Sequence, residues 1–285
     1  MSDPASELPV PGRTTPEAPN QVGATPFLKW AGGKRPLVPD IAELMPASFE
    51  RYWEPFVGGG AVFFALGSGA AEAYLSDLNL ELMVTYKVVQ DDPEALISHL
   101  ERHADEHSRE HYYAVRAKHD ERDPIALAAR FIYLNKTAYN GLHRVNKRGR
   151  FNVPMGSYED PGICDAGNLR AASIALGRAR LRAGSFLGPH VSPAVGDVVY
   201  CDPPYDGTFT GYTGAGFGSD EQTALRDRAT VWADSGAHVL LSNSDTPFIR
   251  DLYQSWTLHQ VQAPRNINSN GAGRNKVNEL LIVSA

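Results

Sequence analysis

The chain has 285 residues, 42% hydrophobic and 21% charged, with a formal net charge of −6. That is the balance of a globular protein long enough for one large domain or two smaller ones. No apolar run approaches the ~20 residues of a membrane-crossing helix, and Cys164 and Cys201 alone support neither a disulfide framework nor a cysteine zinc site. The start lacks the basic and apolar segments of a signal peptide, so a cytoplasmic protein with no membrane partner is expected.

Residues 1–24 hold Pro4, Pro9, Pro11, Pro16 and Pro19 among small polar residues, which predicts a disordered tail. Leu37, Ile41 and Leu44 share one helical face, so a helix is expected from Pro36 to Leu44. Arg51 to Glu54 reads as a first strand, Pro55 to Gly60 as a glycine-rich turn, and Ala61 to Leu66 as a helix. Ala73 to Ser76 reads as a second strand ending at Asp77, with a helix opening after Leu78-Asn79. An acid at the end of the second strand, after a glycine turn at the end of the first, is the nucleotide-half geometry of a doubly wound α/β sheet.

The alternation then breaks. Leu80 to Val89, Pro93 to Glu106, Ser108 to Ala117 and Ile125 to Leu134 read as helices, with Pro93 and Pro124 where helix starts tolerate proline. A loop region rich in Gly, Asn, Arg and Pro follows over 135–161. We read 80–165 as a helical insertion carrying a basic hairpin, set into a catalytic domain made of 25–79 and 166–285. The sheet pattern resumes with a helix from Leu169 to Arg178 and strands from Arg180 to Phe186 and Val198 to Cys201. A helix from Ser219 to Gly236 with Ser219 as its cap, a strand from His238 to Ser242, and a short helix from Pro247 to Tyr253 come next. Trp256 to Ala263 and Val277 to Val283 are expected to close the fold as an antiparallel pair, joined by a polar loop over Arg265 to Arg274.

Charge is segregated. Pro124 to Tyr158 contains no Asp or Glu but carries Arg130, Lys136, Arg144, Lys147, Arg148 and Arg150. Ala166 to Gly196 is also free of acids and carries Arg170, Arg178, Arg180 and Arg182. A basic face on an acidic protein suits a polyanion. His99, His103, His107, His111 and His119 include i, i+4 spacings, which read as a solvated helix face in preference to a metal site. Cys201 reads as a small buried strand residue.

The most informative stretch is Val198 to Tyr205. A buried strand stops abruptly at Asp202-Pro203-Pro204-Tyr205, because two prolines lack backbone donors and fix φ. A carboxylate, a carbonyl and an aromatic ring are thereby held at the carboxyl end of a strand, where open α/β sheets bind ligands. Asp202 and the Pro203 carbonyl can accept both hydrogens of an amine, and Tyr205 can stack on a base. Gly58-Gly59-Gly60 alone is a weak signal, and Asp77 alone could be a helix cap.

Phe27 to Lys34, Glu54 to Gly60, Ser76 to Asn79, Tyr139 to Leu142, Phe151 to Pro154, Asp202 to Tyr205 and Ser269 to Gly271 occur in an order that closely resembles the Dam-type (class alpha, D12 family) site-specific DNA adenine methyltransferases. The resemblance covers nearly everything from Phe27 onward. It implies a Rossmann-like methyltransferase sheet with an inserted helical DNA-recognition domain, S-adenosylmethionine as methyl donor without a metal, and double-stranded DNA as partner, methylated at the 6-amino group of adenine in GATC by base flipping. It implies that Trp30, Lys34, Asp77 and Asp202 contact the cofactor, that Glu54, Phe56 and Gly58 form its methionine-binding turn, and that Asp202, Pro203, Pro204 and Tyr205 form the adenine pocket. Tyr139, Asn140, Leu142, Arg144 and Pro154 match the DNA-reading hairpin, and Lys29 matches a base contact. Lys147, Arg148 and Arg150 can hold phosphates, Arg144 can reach a guanine edge bidentately, and Tyr139 can wedge where the base leaves. His143 and Lys136-Thr137-Ala138 depart from the family's commonest residues. Methylation of a cytosine amine or RNA base, and a catalytically silent DNA-binding regulator, stand as alternatives. A solitary methyltransferase and one paired with a restriction nuclease would look alike, and a monomer is expected.

Overall fold

The computed structural model of the chain describes residues 23–207, 216–263 and 277–284. Most of the proline-rich stretch, the loop 265–274 and its Ser269-Asn270-Gly271 motif lie outside the described residues.

A seven-stranded sheet runs in the order β3-β2-β1-β4-β5-β7-β6. Its strands are β1 (Arg51–Glu54), β2 (Glu72–Asp77), β3 (Ala179–Ala183), β4 (Val198–Cys201), β5 (His238–Ser244), β6 (Thr257–Ala263) and β7 (Val277–Val283). β1 to β5 pair in parallel, while β7 lies antiparallel between β5 and β6. The closing pair is antiparallel as expected, but the later strand sits inside it. Strand order reverses at β1/β4, and this opens a crevice beyond their carboxyl ends.

β4 explains why its sequence is apolar without alternation. Val198 and Tyr200 enter one hydrophobic layer, and Val199 and Cys201 enter the other. All four are fully buried. Burying both faces makes such a strand read as a continuous hydrophobic run, and each fully buried larger side chain contributes about 1.5–3 kcal/mol. The first layer holds helices α2 (Ala61–Ala65), α3 (Leu80–Asp91), α6 (Pro124–Thr137) and α7 (Ala166–Leu176). The second holds α8 (Ser219–Asp234) and α9 (Pro247–Leu252).

Between β2 and β3 come α3, α4 (Pro93–Asp105), α5 (Arg109–Ala117), α6 and α7. Each of α3 to α6 begins on a side chain that accepts a backbone N–H: Asn79, Asp92, Ser108 and Asp123. Pro93 and Pro124 then supply first-turn residues whose missing N–H costs nothing. The hydrophobic layer runs without a break from Tyr52 and Phe63 through α3, α4 and α6 to Phe151 and Val153. After α6 the chain forms a short hairpin pinned by the bridges Ala138↔Met155 and Val145↔Phe151.

Several boundaries differ from the expectations. The helix expected from Pro36 begins as a 3-10 turn over Arg35–Leu37, since Pro36 and Pro39 lack donors, and is α-helical only over α1 (Val38–Leu44). α6 continues past Leu134 to Thr137. β3 stops at Ala183, and Phe186 turns into the second layer. Ser219 is not a cap. Gly218 occupies that position, and its N–H donates to Glu221 Oε2 at 2.8 Å.

Candidate active site

The glycine turn follows β1. Asp77 at the end of β2 binds across it: Oδ2 accepts from the Gly58 N–H at 3.1 Å and Oδ1 from the Asn79 N–H at 2.9 Å. Burial raises the Asp77 pKa, opposed by these backbone donors. Gly58 has φ of +46°, and a Cβ there would come within 2.7 Å of the Trp30 ring. The Tyr86 hydroxyl donates to Gly58 O at 3.1 Å and braces the turn from α3. Glu54 is buried and accepts from the Tyr52 hydroxyl at 2.9 Å. Burial pushes its carboxyl well up, and the nearby Asp202 adds to this. Phe56 packs on Phe186 and Phe217 at 5.3 and 5.9 Å between ring centroids.

Asp202 lies just beyond β4, across the crevice. Its Oδ1 is 2.8 Å from Lys34 Nζ and accepts from Ser242 Oγ at 2.9 Å. Tyr200 is joined to Ser242 at 3.0 Å, which fixes that hydroxyl from below. Lys34 Nζ also sits 4.6 Å from the Tyr205 ring centroid. The Tyr205 hydroxyl donates to Glu279 Oε2 at 2.7 Å. Burial and two neighbouring carboxylates hold the Tyr205 pKa well above that of a free phenol. Pro203 is buried, and Pro204 O accepts from Gln222 Nε2 at 2.9 Å. Asn243 binds both Gln222 and the Asp206 N–H. The turn is thus held from α8, β5 and β7.

The segment Lys29–Lys34 connects this crevice to the hairpin. Asn135, buried in α6, accepts from the Lys29 N–H at 2.8 Å and donates to Lys29 O at 2.7 Å and Gly141 O at 3.2 Å. Lys29 Nζ donates to Lys136 O at 3.2 Å and lies 3.9 Å over the Tyr158 ring. Gly141, at φ +63°, packs on the Lys29 side chain, where a Cβ would meet it at 2.6 Å. Beyond it the hairpin turns outward. Tyr139 is 47% exposed, and Asn140, Arg144, Lys147, Arg148, Arg150 and Pro154 are exposed, while Leu142 is half-buried against the core. Arg144 Nε donates to Asn152 Oδ1 at 2.8 Å.

The two acid-free stretches separate here. Among the described residues, no ion pair within 4.0 Å engages Arg144, Lys147, Arg148 or Arg150. In the second stretch, Arg170 pairs with Glu94 at 2.6 Å and Arg180 with Glu72 at 2.9 Å. The charge of these two is met by acids distant in sequence, while the first stretch gathers four cations without an ion pair on one hairpin. Of the five histidines expected on a solvated face, His119 is exposed, but His103, His107 and His111 are drawn into contacts. His103 bonds His111 at 2.9 Å, His107 bonds the Tyr133 hydroxyl at 2.9 Å, and His103 stacks on Tyr133. Packing of α4 and α5 on α6 draws them inward. Among the described residues, no group of three or more His, Cys, Asp or Glu side chains is arranged to hold a metal ion.

Sequence reasoning missed Ser242, Gln222, Asn243, Glu279 and Asn135. The available signal was polarity inside apolar elements: Ser242-Asn243-Ser244 ends a buried strand, and Asn135 interrupts an apolar helix.

This sheet order, with an acid after β2, a glycine turn after β1 and Asp-Pro-Pro-Tyr after β4, is that of a Rossmann-like methyltransferase. The chain belongs to the D12 class N6 adenine-specific DNA methyltransferases, whose family model matches residues 30–267. It is 36% identical over 277 residues to the type II methyltransferase M1.LlaDCHI of Lactococcus lactis subsp. cremoris, covering 93% of this chain and 97% of that one. It is 39% identical over 284 residues to the type II methyltransferase M.MjaIII of Methanocaldococcus jannaschii, covering 91% and 98%. It is 39% identical over 264 residues to a DNA adenine methylase of Vibrio cholerae, covering 90% and 94%. It is an adenine-specific DNA methyltransferase, and among the described residues no helix is long and apolar enough to cross a membrane.

Proposed function

We propose that this enzyme methylates the 6-amino nitrogen of adenine in duplex GATC, taking the methyl group from S-adenosylmethionine and the adenine out of the helix. The observation that carries this reading is Asp202, clamped by Lys34 and Ser242 at the β1/β4 crevice and opposite the glycine turn and Asp77. The residues fit the cofactor. Each Asp77 oxygen accepts one backbone N–H and retains capacity for a ribose hydroxyl. Leu78, 64% exposed beside it, offers apolar surface to an adenine ring. Trp30, Glu54, Phe56 and Gly58 complete the cofactor side. The cofactor supplies an activated methyl group when bound.

An exocyclic amine is a weak nucleophile because its lone pair is conjugated with the ring. Asp202 and the Pro203 carbonyl accept its two hydrogens, which draws the nitrogen towards tetrahedral geometry and directs its lone pair. The gain comes from orientation and fixed dipoles. Tyr205 holds the base. Residues 80–165 act as the inserted recognition unit. Its hairpin reads bases through Arg144 and Leu142, wedges Tyr139 into the stack, and holds phosphates through Lys147, Arg148 and Arg150. Lys29, Asn140 and Pro154 complete that surface.

Expression in cells lacking adenine methylation tests this. Plasmid DNA is expected to become resistant to nucleases that cut only unmethylated GATC. Unchanged cleavage with folded protein present would refute it. Asp202→Ala is expected to abolish methyl transfer while preserving most DNA affinity, and equal loss of both would make the residue structural.

A further inference from the structure

The hairpin and the glycine turn meet through one aromatic stack. On the turn side, Trp30 lies directly on backbone: a Cβ at Gly59 would come within 2.8 Å of Trp30 Cβ, and one at Gly58 within 2.7 Å of the indole. On the hairpin side, His143 lays its ring on the same indole, with centroids 6.0 Å apart and planes 20° apart. Phe131 of α6 also stacks on Trp30, at 6.4 Å and 28°. Phe131 and Phe151 then close on His143 at 5.1 and 5.7 Å. His143 stands between Leu142 and Arg144, and the bridge Val145↔Phe151 fixes the hairpin arms around it.

The imidazole is used here for its face. Among the described residues its buried Nε2 makes no hydrogen bond, although buried polar atoms nearly always find a partner. Burial, and secondarily the charge of Arg130, holds the ring pKa down at about 4, so it is neutral at neutral pH and adds no buried charge to the stack. Filling space would require only volume. A near-parallel ring touching both the indole and two phenyl rings restricts how Trp30 can tilt over Gly58 and Gly59.

We propose that His143 is a positioning residue whose ring sets Trp30 against the glycine turn and so links cofactor occupancy to hairpin placement on DNA. This rests on the reading above, in which Trp30 faces the cofactor and Arg144 faces DNA. Linkage is reciprocal: a duplex that tightens cofactor binding is itself bound more tightly, by the same factor, once the cofactor is present.

The test uses the full chain with S-adenosylhomocysteine as the cofactor probe and a GATC duplex as the DNA probe. In the wild type, duplex is expected to tighten S-adenosylhomocysteine by at least about fivefold. In His143→Ala that factor is expected to fall towards one and the cofactor KM to rise severalfold, with kcat at saturation within about twofold of wild type. His143→Phe, which keeps a flat ring, is expected to restore the coupling, and His143→Leu, which keeps volume without a ring face, is not. Intrinsic tryptophan emission should shift in the Ala and Leu proteins and not in the Phe protein. Coupling that persists in both Ala and Leu proteins, or that is absent in the wild type, overturns the proposal. So does its loss in a folded Phe protein. If Ala does not fold, the Leu–Phe comparison decides. A wild type that binds neither probe would instead defeat the functional reading itself.

Discussion

Replacing Lys34 by Met tests the electrostatics of the crevice. The Lys34 side chain is 7% exposed and its Nζ lies 2.8 Å from Asp202 Oδ1, whose side chain is 21% exposed. Burial raises the pKa values of Glu54 and Glu279, and Asp202 adds to both, whereas Lys34 pulls that of Glu279 down. At this separation and an effective dielectric constant near 20, the direct attraction is about 6 kcal/mol, much of which offsets desolvation of the ammonium. Removing one partner of a buried pair costs about 3–5 kcal/mol. Asp202 keeps its Ser242 hydrogen bond and partial contact with water, which argues for the lower end. Lys34→Met is therefore expected to lose roughly 3 kcal/mol in urea denaturation, together with methyl transfer. Lys34→Met/Asp202→Asn is expected to lose at least about 1 kcal/mol less than the sum of the two single changes, because the uncompensated carboxylate is gone. A single-mutant cost below about 1 kcal/mol, or simple additivity, would refute the reasoning.

Gly58→Ala places a Cβ against Trp30 at φ +46° and is expected to cost about 1–3 kcal/mol and to weaken cofactor binding; a protein with wild-type stability and affinity would show that the turn can yield. Arg144→Ala is expected to relax discrimination at one guanine by about 1–3 kcal/mol, read by binding to a set of singly substituted duplexes, and uniform weakening would assign it to phosphate contact. Acid sensitivity follows from His103 and His143, both held down at about 4, by burial first and then by neighbouring cations. Depressed histidines give stability that is fully present above pH 6.5 and is lost as pH falls towards 4. The step from 6.5 to about 4 corresponds to roughly 3 kcal/mol at the enclosed His143. His143→Phe is expected to flatten that part of the stability–pH curve, measured by thermal denaturation, and an unchanged curve would reject the assignment.

The linear sequence determined what depends on period and on local backbone chemistry. Four apolar residues before Asp202 specify a strand buried on both faces, because only such a strand can dispense with alternation. Asp92-Pro93 and Asp123-Pro124 specify helix starts, since cap and missing donor act within one turn. Asp-Pro-Pro-Tyr and the glycine turn were legible because each encodes its own bend.

Tertiary structure decided what depends on partners distant in the chain. Whether an arginine is available depends on the acid opposite it: Arg170 and Arg180 are paired across 76 and 108 residues, while among the described residues Arg144 and Arg148 have no such pair. The place of β7 between β5 and β6 is set by pairing between strands that meet only in the fold, and strand periodicity carries no information about neighbours. Asp202 was legible as a candidate, but the hydroxyl that aims it comes from β5 and the cation from the segment before α1. His143 was visible only as a departure from a familiar pattern; its place on Trp30 required α6 and both hairpin arms to meet.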